Sequence, residues 1–177
     1  MILLQLTGLS GAGKTTIANY VKEHLQHLGH KIELLDGDII RKNLSKDLGF
    51  SKNDRCENIR RMGFIADILT RNNIIVLIAA INPYEDIRQE LRQNYGAKTV
   101  WIKCNLETLK QRDTKGLYKR AFLPENHPEK IYNLTGVNDI YEIPLNADLV
   151  IETTTESIAQ SAQKVINFVV ENLQDLH

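Results

Sequence analysis

The stretch Gly8-Leu-Ser-Gly-Ala-Gly-Lys-Thr15 has the spacing GxxxxGK[ST], and the chemistry of that pattern is capture of a polyphosphate. Its glycines let the backbone wrap so that successive N–H groups converge on phosphate oxygens, while a helix starting at the end of the loop adds its positive dipole end. Gly8, Ser10, Gly11, Ala12 and Gly13 form this cradle, and Thr16 follows in the first helical turn. Lys14 is placed to reach the β and γ phosphates, and Thr15 has the hydroxyl that such loops put on Mg²⁺. A nucleoside triphosphate and Mg²⁺ are the expected ligands. The chain contains no Asn-Lys dipeptide, so the NKxD element of guanine-specific switches is missing, as is an LSGGQ-like segment. An ATP-dependent small-molecule kinase is what remains, and the phosphate loop and its surroundings must then hold an acceptor hydroxyl.

Two carboxylates are candidates for the acceptor side. Asp36-Gly37-Asp38 closes the second predicted strand, at the sheet edge where open α/β folds bind ligands. One carboxylate can hold Mg²⁺ through water, and the other can orient or deprotonate the attacking hydroxyl. The competing reading is that Asp38 is the N-cap of a helix over Ile39–Leu44. Asp54 and Glu57 have capping-box spacing, which predicts a helix from Arg55 to about Arg71. On that helix Ile59, Met62, Ala66 and Leu69 lie within about 40° of Arg55, and Asn58 about 60° away. Arg55 therefore points with the buried stripe, where a charge needs an anion in a cleft or a structural ion pair. Arg60, Arg61 and Arg71 fall on the solvated side. In Ile81-Asn-Pro-Tyr84, Asn82 has the signature of an N-cap with Pro83 at the first helical position. His24 and His27 have no further ligands nearby in sequence, and packing is expected of them rather than metal binding.

The elements that must position these residues are short. Five segments rich in Ile, Leu and Val read as strands: Ile2–Leu6, Ile32–Leu35, Ile74–Ala80, Thr99–Lys103 and Leu149–Ile151. Several are apolar on both faces, as strands of a covered parallel sheet are. Ile17, Ala18, Val21, Leu25 and Leu28 form a helical stripe that Gly29 ends, and Ile158, Ala162, Val165, Ile166, Val169 and Leu173 form another after a Thr153/Glu156 capping box. With the phosphate loop, this predicts an α/β fold like that of P-loop NTPases: three layers, with a five-stranded parallel sheet flanked by helices. The 177 residues fit one domain. Residues 113–147 carry Pro124, Pro128, Pro144 and the basic cluster Lys115, Lys119 and Arg120, and are expected to form a lid. Lys and Arg total 22 against 22 Asp and Glu, so no global basic field exists to bind nucleic acid or an anionic membrane. Only Cys56 and Cys104 occur, without metal-site spacing. With no export signal and no apolar run long enough to span a bilayer, a cytoplasmic setting is expected.

The motifs taken together carry a family resemblance. Thr7-Gly-Leu-Ser-Gly-Ala-Gly-Lys-Thr-Thr16, Leu35-Asp-Gly-Asp38 with Arg41 beyond it, and Leu48-Gly-Phe50 leading into Asp54-Arg-x-Glu-Asn-Ile-Arg-Arg61 are followed by Lys115-Gly-Leu-Tyr-Lys119, Leu134-Thr-Gly136 and Tyr141-Glu-x-Pro144. In this order they resemble adenylylsulfate kinases. The resemblance implies transfer of the ATP γ-phosphate to the ribose 3′-hydroxyl of adenylyl sulfate, with Mg²⁺ as cofactor and a homodimeric assembly. It implies that Arg41 and Arg55 clamp the phosphosulfate with Asn58 beside them, and that Phe50 stacks on the adenine. Ile81, Asn82, Lys115 and Leu134 would touch the same substrate, and Arg112 would cover the ATP adenine. Many members have Ser where this chain has Asn82 and Phe where it has Leu134, and residues 122–132 lengthen the segment before Thr135-Gly136. Alternatives are another small-molecule kinase with the same phosphate loop, or a catalytically silent nucleotide-binding paralogue. The set Arg41, Phe50, Arg55 and Asn58 asks for an anionic aromatic acceptor, which a neutral sugar is not.

Overall fold

The computed structural model describes residues 1–174 of the chain. The element order is β1 (Leu3–Thr7), α1 (Lys14–His27), β2 (Ile32–Asp36), α2 (Gly37–Asn43), α3 (Lys52–Arg71) and β3 (Ile75–Ala79). It continues with α4 (Glu85–Tyr95), β4 (Lys98–Lys103), α5 (Leu106–Arg112), α6 (Leu117–Ala121), β5 (Leu149–Glu152) and α7 (Ile158–Gln174). The strands form one parallel sheet in the order β2-β3-β1-β4-β5. All five predicted strands are present, shifted by one residue at most of their ends. Alternation divides their side chains between two cores. Leu4, Leu6, Leu77 and Ile102 face α1 and α7, with Val21, Leu25, Val165 and Val169 packed on them. Leu3, Val76 and Ile78 face α3 and α4, against Ile59, Met62, Ile87 and Leu91.

The connections after β1, β2 and β3 leave the sheet at its carboxyl edge, with β1 central between β3 and β4. The chain thus places the phosphate loop, Asp36 and residues 80–84 side by side at the point where strand order reverses, where such sheets bind ligands.

The helix starts differ from expectation in four places. The cap of α2 is Asp36, whose Oδ1 accepts from the backbone N–H of Asp38 at 2.9 Å and of Ile39 at 3.2 Å; Asp38 lies inside the first turn and caps nothing. The α3 capping box is Ser51/Asp54, so the helix begins at Lys52 and Asp54 is its third residue. Asn82 has φ 46°, in the left-handed region and far from the extended conformation an N-cap requires, and α4 starts later, after Tyr84. Its Glu85 N–H is met instead by Glu142 Oε2 at 2.6 Å, a cap supplied from 57 residues away. Thr153 donates its hydroxyl to Ala12 O and Lys103 O, and the reciprocal pair before α7 is Ser157/Gln160. On the helical stripes Leu28, the C-cap of α1, and Ile158, the first residue of α7, are exposed. His24 and His27 are also exposed in the last turn of α1, so they do not pack in the core.

Candidate active site

A cleft of about 920 Å³ opens at the carboxyl edge of the sheet. Every residue proposed from sequence for the two substrates and the metal lines it except Gly8. Gly8 serves from beneath: a Cβ there would sit 2.4 Å from Ile102 O, so only glycine lets β1 turn into the loop this close to β4. Gly11 and Gly13 have φ of 76° and 100°, the left-handed turns that make the loop curl.

Lys14 is the first residue of α1 and is buried. Its Nζ donates to Gly8 O and Leu9 O, each at 2.8 Å, which folds the side chain back over the loop. Burial, and then the nearby charge of Lys115, lower its pKa to about 8. An anion in the loop opposes both effects. One residue on, Thr15 donates its hydroxyl to Asp36 Oδ2 at 2.7 Å. Asp36 therefore does two things with its two oxygens, capping α2 with Oδ1 and joining the phosphate loop to β2 with Oδ2. The Thr15 hydroxyl and Asp36 carboxylate form a pair of hard oxygen donors that suits Mg²⁺. Among the described residues no cluster of three or more His, Cys, Asp or Glu is placed to hold a metal ion.

Asp38 is exposed, with its carboxylate ion-paired to Lys115 from the segment that follows α5. A carboxylate free of capping duty and facing the cleft can accept a proton from an acceptor hydroxyl. Beyond it lies a cationic wall. The Arg41 guanidinium lies 4.8 Å from the Phe50 ring centroid and that of Arg55 lies 5.6 Å from it, so one aromatic ring joins two cations. Burial, then the charge of Arg55, pulls Arg41 below the usual guanidinium range. Two like charges held this close favour a bound anion.

Both sequence-based readings of Arg55 meet in the structure. It is buried and lines the cleft, yet it also donates to Phe50 O, Thr135 Oγ1 and Asn133 O and pairs with Asp139 at 3.1 Å. Asn58, a turn later, is buried with its Oδ1 unpartnered. Leu134 is buried beneath the cleft floor. At the opposite end Arg112 donates to Thr153 O at 2.7 Å, fixing the guanidinium against the β5–α7 connection.

Several contributors were not foreseen. Thr135 and Asp139 hold Arg55, Tyr118 donates its hydroxyl to Ser10 O at 2.7 Å, and Thr153 braces Ala12 O of the phosphate loop. Leu134-Thr-Gly136 was visible as a motif, but the partners of Thr135 lie 80 residues away and leave no local pattern. Gly136 has φ 85°, and a Cβ there would meet Leu9 at 2.5 Å, so this turn closes directly on the phosphate loop.

The chain matches the model of the family described as adenylylsulphate kinase over residues 1–152. It is 47% identical over 171 residues to the adenylyl-sulfate kinase of Picosynechococcus sp., covering 96% of this chain and 94% of that one. To the adenylyl-sulfate kinase of Rippkaea orientalis it is 48% identical over 165 residues, covering 93% and 88%. Among solved structures, the Mycobacterium tuberculosis APS kinase in complex with AMPPNP and APS superposes with a TM-score of 0.87 at 35% identity, covering 95% of this chain and 96% of that one. The chain belongs to the adenylylsulphate kinase family.

Proposed function

We propose that the chain is an ATP-dependent adenylyl-sulfate kinase, which transfers the γ-phosphoryl group of ATP to the ribose 3′-hydroxyl of adenylyl sulfate to give 3′-phosphoadenylyl sulfate and ADP in sulfate activation. The observation that carries this reading is that one cleft holds three things together: a phosphate loop, a carboxylate beside it, and a paired-arginine wall over an aromatic ring.

The residues divide the work. The loop from Gly8 to Thr16 binds the triphosphate, with backbone N–H groups and Lys14 meeting the phosphate oxygens, and Arg112 covers the ATP base. Arg41 and Arg55 hold the phosphosulfate, Asn58 hydrogen-bonds beside them, and Phe50 stacks on the adenine above Ile81, Asn82 and Leu134. Asp38 orients the 3′-hydroxyl and takes its proton as the new bond from that oxygen to Pγ forms and the bond from Pγ to the β-phosphate oxygen breaks. Lys14 follows the charge that develops on the transferring group. Thr15 and Asp36 would hold Mg²⁺, directly or through water, and the ion would neutralise phosphate charge.

Within residues 113–147 the amino-terminal part, which carries Lys115, acts as a lid. Lys115 within it exchanges its contact with Asp38 for the bound sulfonucleotide. We read residues 1–177 as a single kinase domain that assembles as a homodimer. The described residues include no helix long and apolar enough to cross a membrane. Two free cysteines fit a reducing, cytoplasmic setting. Neither nucleic acid nor a membrane is a partner.

The test is ADP release with adenylyl sulfate, run beside gluconate, nucleoside monophosphates and no acceptor. Turnover with adenylyl sulfate alone is expected. Preference for gluconate would make the chain a sugar-acid kinase, and ADP release indifferent to acceptor would remove the acceptor site altogether.

A further inference from the structure

Two peptide units inside the phosphate loop are sterically able to turn over. A trans peptide holds its C=O and N–H on opposite sides, so whatever fixes the carbonyl also aims the N–H. The peptides between Ser10 and Gly11 and between Ala12 and Gly13 are trans. Turning such a unit over changes ψ of the residue before it and the sign of φ of the residue after it, and glycine alone accepts both signs freely. Gly11 and Gly13, with φ of 76° and 100°, stand in that position after the carbonyls of Ser10 and Ala12. The N–H groups that a turn would carry away are ones left for an anion. Ala12 N–H is spent on Leu9 O at 3.2 Å, whereas among the described residues those of Gly11 and Gly13 meet no backbone carbonyl outside the helices and strands.

Each of the two carbonyls is held from outside the loop by one side-chain hydroxyl. Tyr118 of α6 donates to Ser10 O at 2.7 Å, and Thr153, directly after β5, donates to Ala12 O at 3.0 Å. A carbonyl only accepts, so the direction of both bonds is fixed. Tyr118 is 2% exposed, and burial holds its hydroxyl above the usual phenol range, so it keeps its proton at any working pH. Its helix is set in turn by Asp113, whose carboxylate accepts from the N–H of Tyr118 at 3.1 Å and of Lys119 at 2.8 Å. Thr153 shares its hydroxyl with Lys103 O at 3.1 Å, at the end of β4. Tyr118 does not line the cleft. It reaches a ligand either through the Ser10 peptide or through the neighbouring Lys115, and the two substrates tell these routes apart.

We propose that Tyr118 is a positioning residue for the phosphate donor: by holding Ser10 O away from the cleft it keeps the Gly11 N–H turned toward the bound triphosphate, and Thr153 does the same for the Gly13 N–H. This rests on the reading of the loop as the ATP site and not on the identity of the acceptor. Because α6 carries the hydroxyl, affinity for the donor depends on that helix being docked.

The experiment is a double-mutant cycle with Tyr118→Phe and Gly11→Ala, titrated calorimetrically with inorganic triphosphate and ATP, each with Mg²⁺, and with adenylyl sulfate. Tyr118→Phe keeps the ring and removes only the hydroxyl. A Cβ on Gly11 would lie 3.7 Å from Leu109 Cδ2, an ordinary contact, so Gly11→Ala changes little but the preferred sign of φ, toward the turned-over peptide. Each single variant is expected to weaken inorganic triphosphate and ATP alike by about 2- to 10-fold, the range of one net hydrogen bond, with adenylyl sulfate held within about twofold. The double variant should lose more than the product of the two single losses, because the turned-over peptide is then both permitted and preferred. A merely structural role for Tyr118 would lower Tm and leave triphosphate binding at the wild-type level, and this would overturn the proposal. So would a double variant showing only the product of the single losses. Adenylyl sulfate weakened as much as ATP would overturn it too, by placing the effect in Lys115. Should Tyr118→Phe fail to fold, Thr153→Val decides through the Gly13 peptide: unchanged binding of inorganic triphosphate overturns the proposal. Wild-type protein that binds neither inorganic triphosphate nor ATP defeats the reading of the loop instead, and is recognised before any variant is made.

Discussion

At the scale of single residues, the two aspartates of Asp36-Gly37-Asp38 separate by what each oxygen already does. Asp36 is committed to the α2 cap and to Thr15, so its replacement disturbs the fold of the loop together with any role toward Mg²⁺. Asp38 makes only an exposed ion pair with Lys115, a contact of the sort that contributes little to stability. Asp38→Asn keeps the volume and removes the proton acceptor. The expected outcome is a fall in kcat of roughly 10²–10⁴ with Tm nearly unchanged, measured by ADP release and thermal unfolding on the same preparation. Comparable losses in both would mean that the carboxylate supports the fold after all. The cap was legible as a choice between two neighbouring aspartates. Spacing could not decide it, because the cap depends on which residue keeps extended dihedrals at the end of β2, and Asp36 does, with φ −86° and ψ 127°.

Helix α3 shows at the scale of elements how far phase carries an inference and where it stops. Of the predicted stripe, Arg55, Ile59, Met62 and Ala66 are buried and Leu69 is half-buried, and the helix runs to Arg71 as expected. Its start was placed three residues late because Asp54 can serve as N-cap or as N3, and the choice rests on the Ser51 backbone. Phase said that Arg55 points inward but not what it meets, since Asn133, Thr135 and Asp139 come from a segment about 80 residues on that has no periodicity of its own. Arg55 thus joins the acceptor site to the segment that closes it, and its loss should register in both. Arg55→Ala is expected to lower folding stability by about 2–3 kcal/mol, because Asp139 and three acceptors, the buried Thr135 Oγ1 among them, lose their partner. It should also weaken adenylyl sulfate roughly 10- to 150-fold while leaving MgATP almost untouched. Separate titrations with the two ligands and an unfolding curve check all three parts, and equal weakening of both ligands would place Arg55 outside the acceptor site.

Across the whole molecule, residues 113–147 are fastened unevenly. The carboxyl half is tied to the sheet and to α4: Glu142 N–H donates to Pro83 O at 2.8 Å, Arg88 and Arg92 donate to Glu142 O and Asn146 O, and the Tyr141 hydroxyl sits 3.0 Å from Thr7 Oγ1. Burial pushes the Tyr141 hydroxyl up to about 12, so it remains a neutral hydrogen-bonding group across any working pH. In the amino half the cleft is reached from α6, a single short helix, through Tyr118 on Ser10 O, and from the turn before it through Lys115 on Asp38. Lys115 and Asp38 are both mostly exposed, so their contact is weakly held and leaves the buried Tyr118 to anchor α6, whereas the Tyr141–Pro144 end is part of the frame. Local opening should therefore be confined to the stretch around residues 114–123 and be suppressed when both substrates are present, since Lys115 then has an anion to hold and Ser10 lies beneath a bound triphosphate. Hydrogen exchange followed by mass spectrometry tests this. Amides of residues 117–123 should exchange faster in the protein alone than the Glu142 amide, which is bonded to Pro83 O, and slow by at least tenfold with a non-hydrolysable ATP analogue and adenylyl sulfate together, while that of Glu142 is unchanged. Uniform protection of the two halves in the protein alone would mean that the segment is a fixed wall of the cleft rather than a lid.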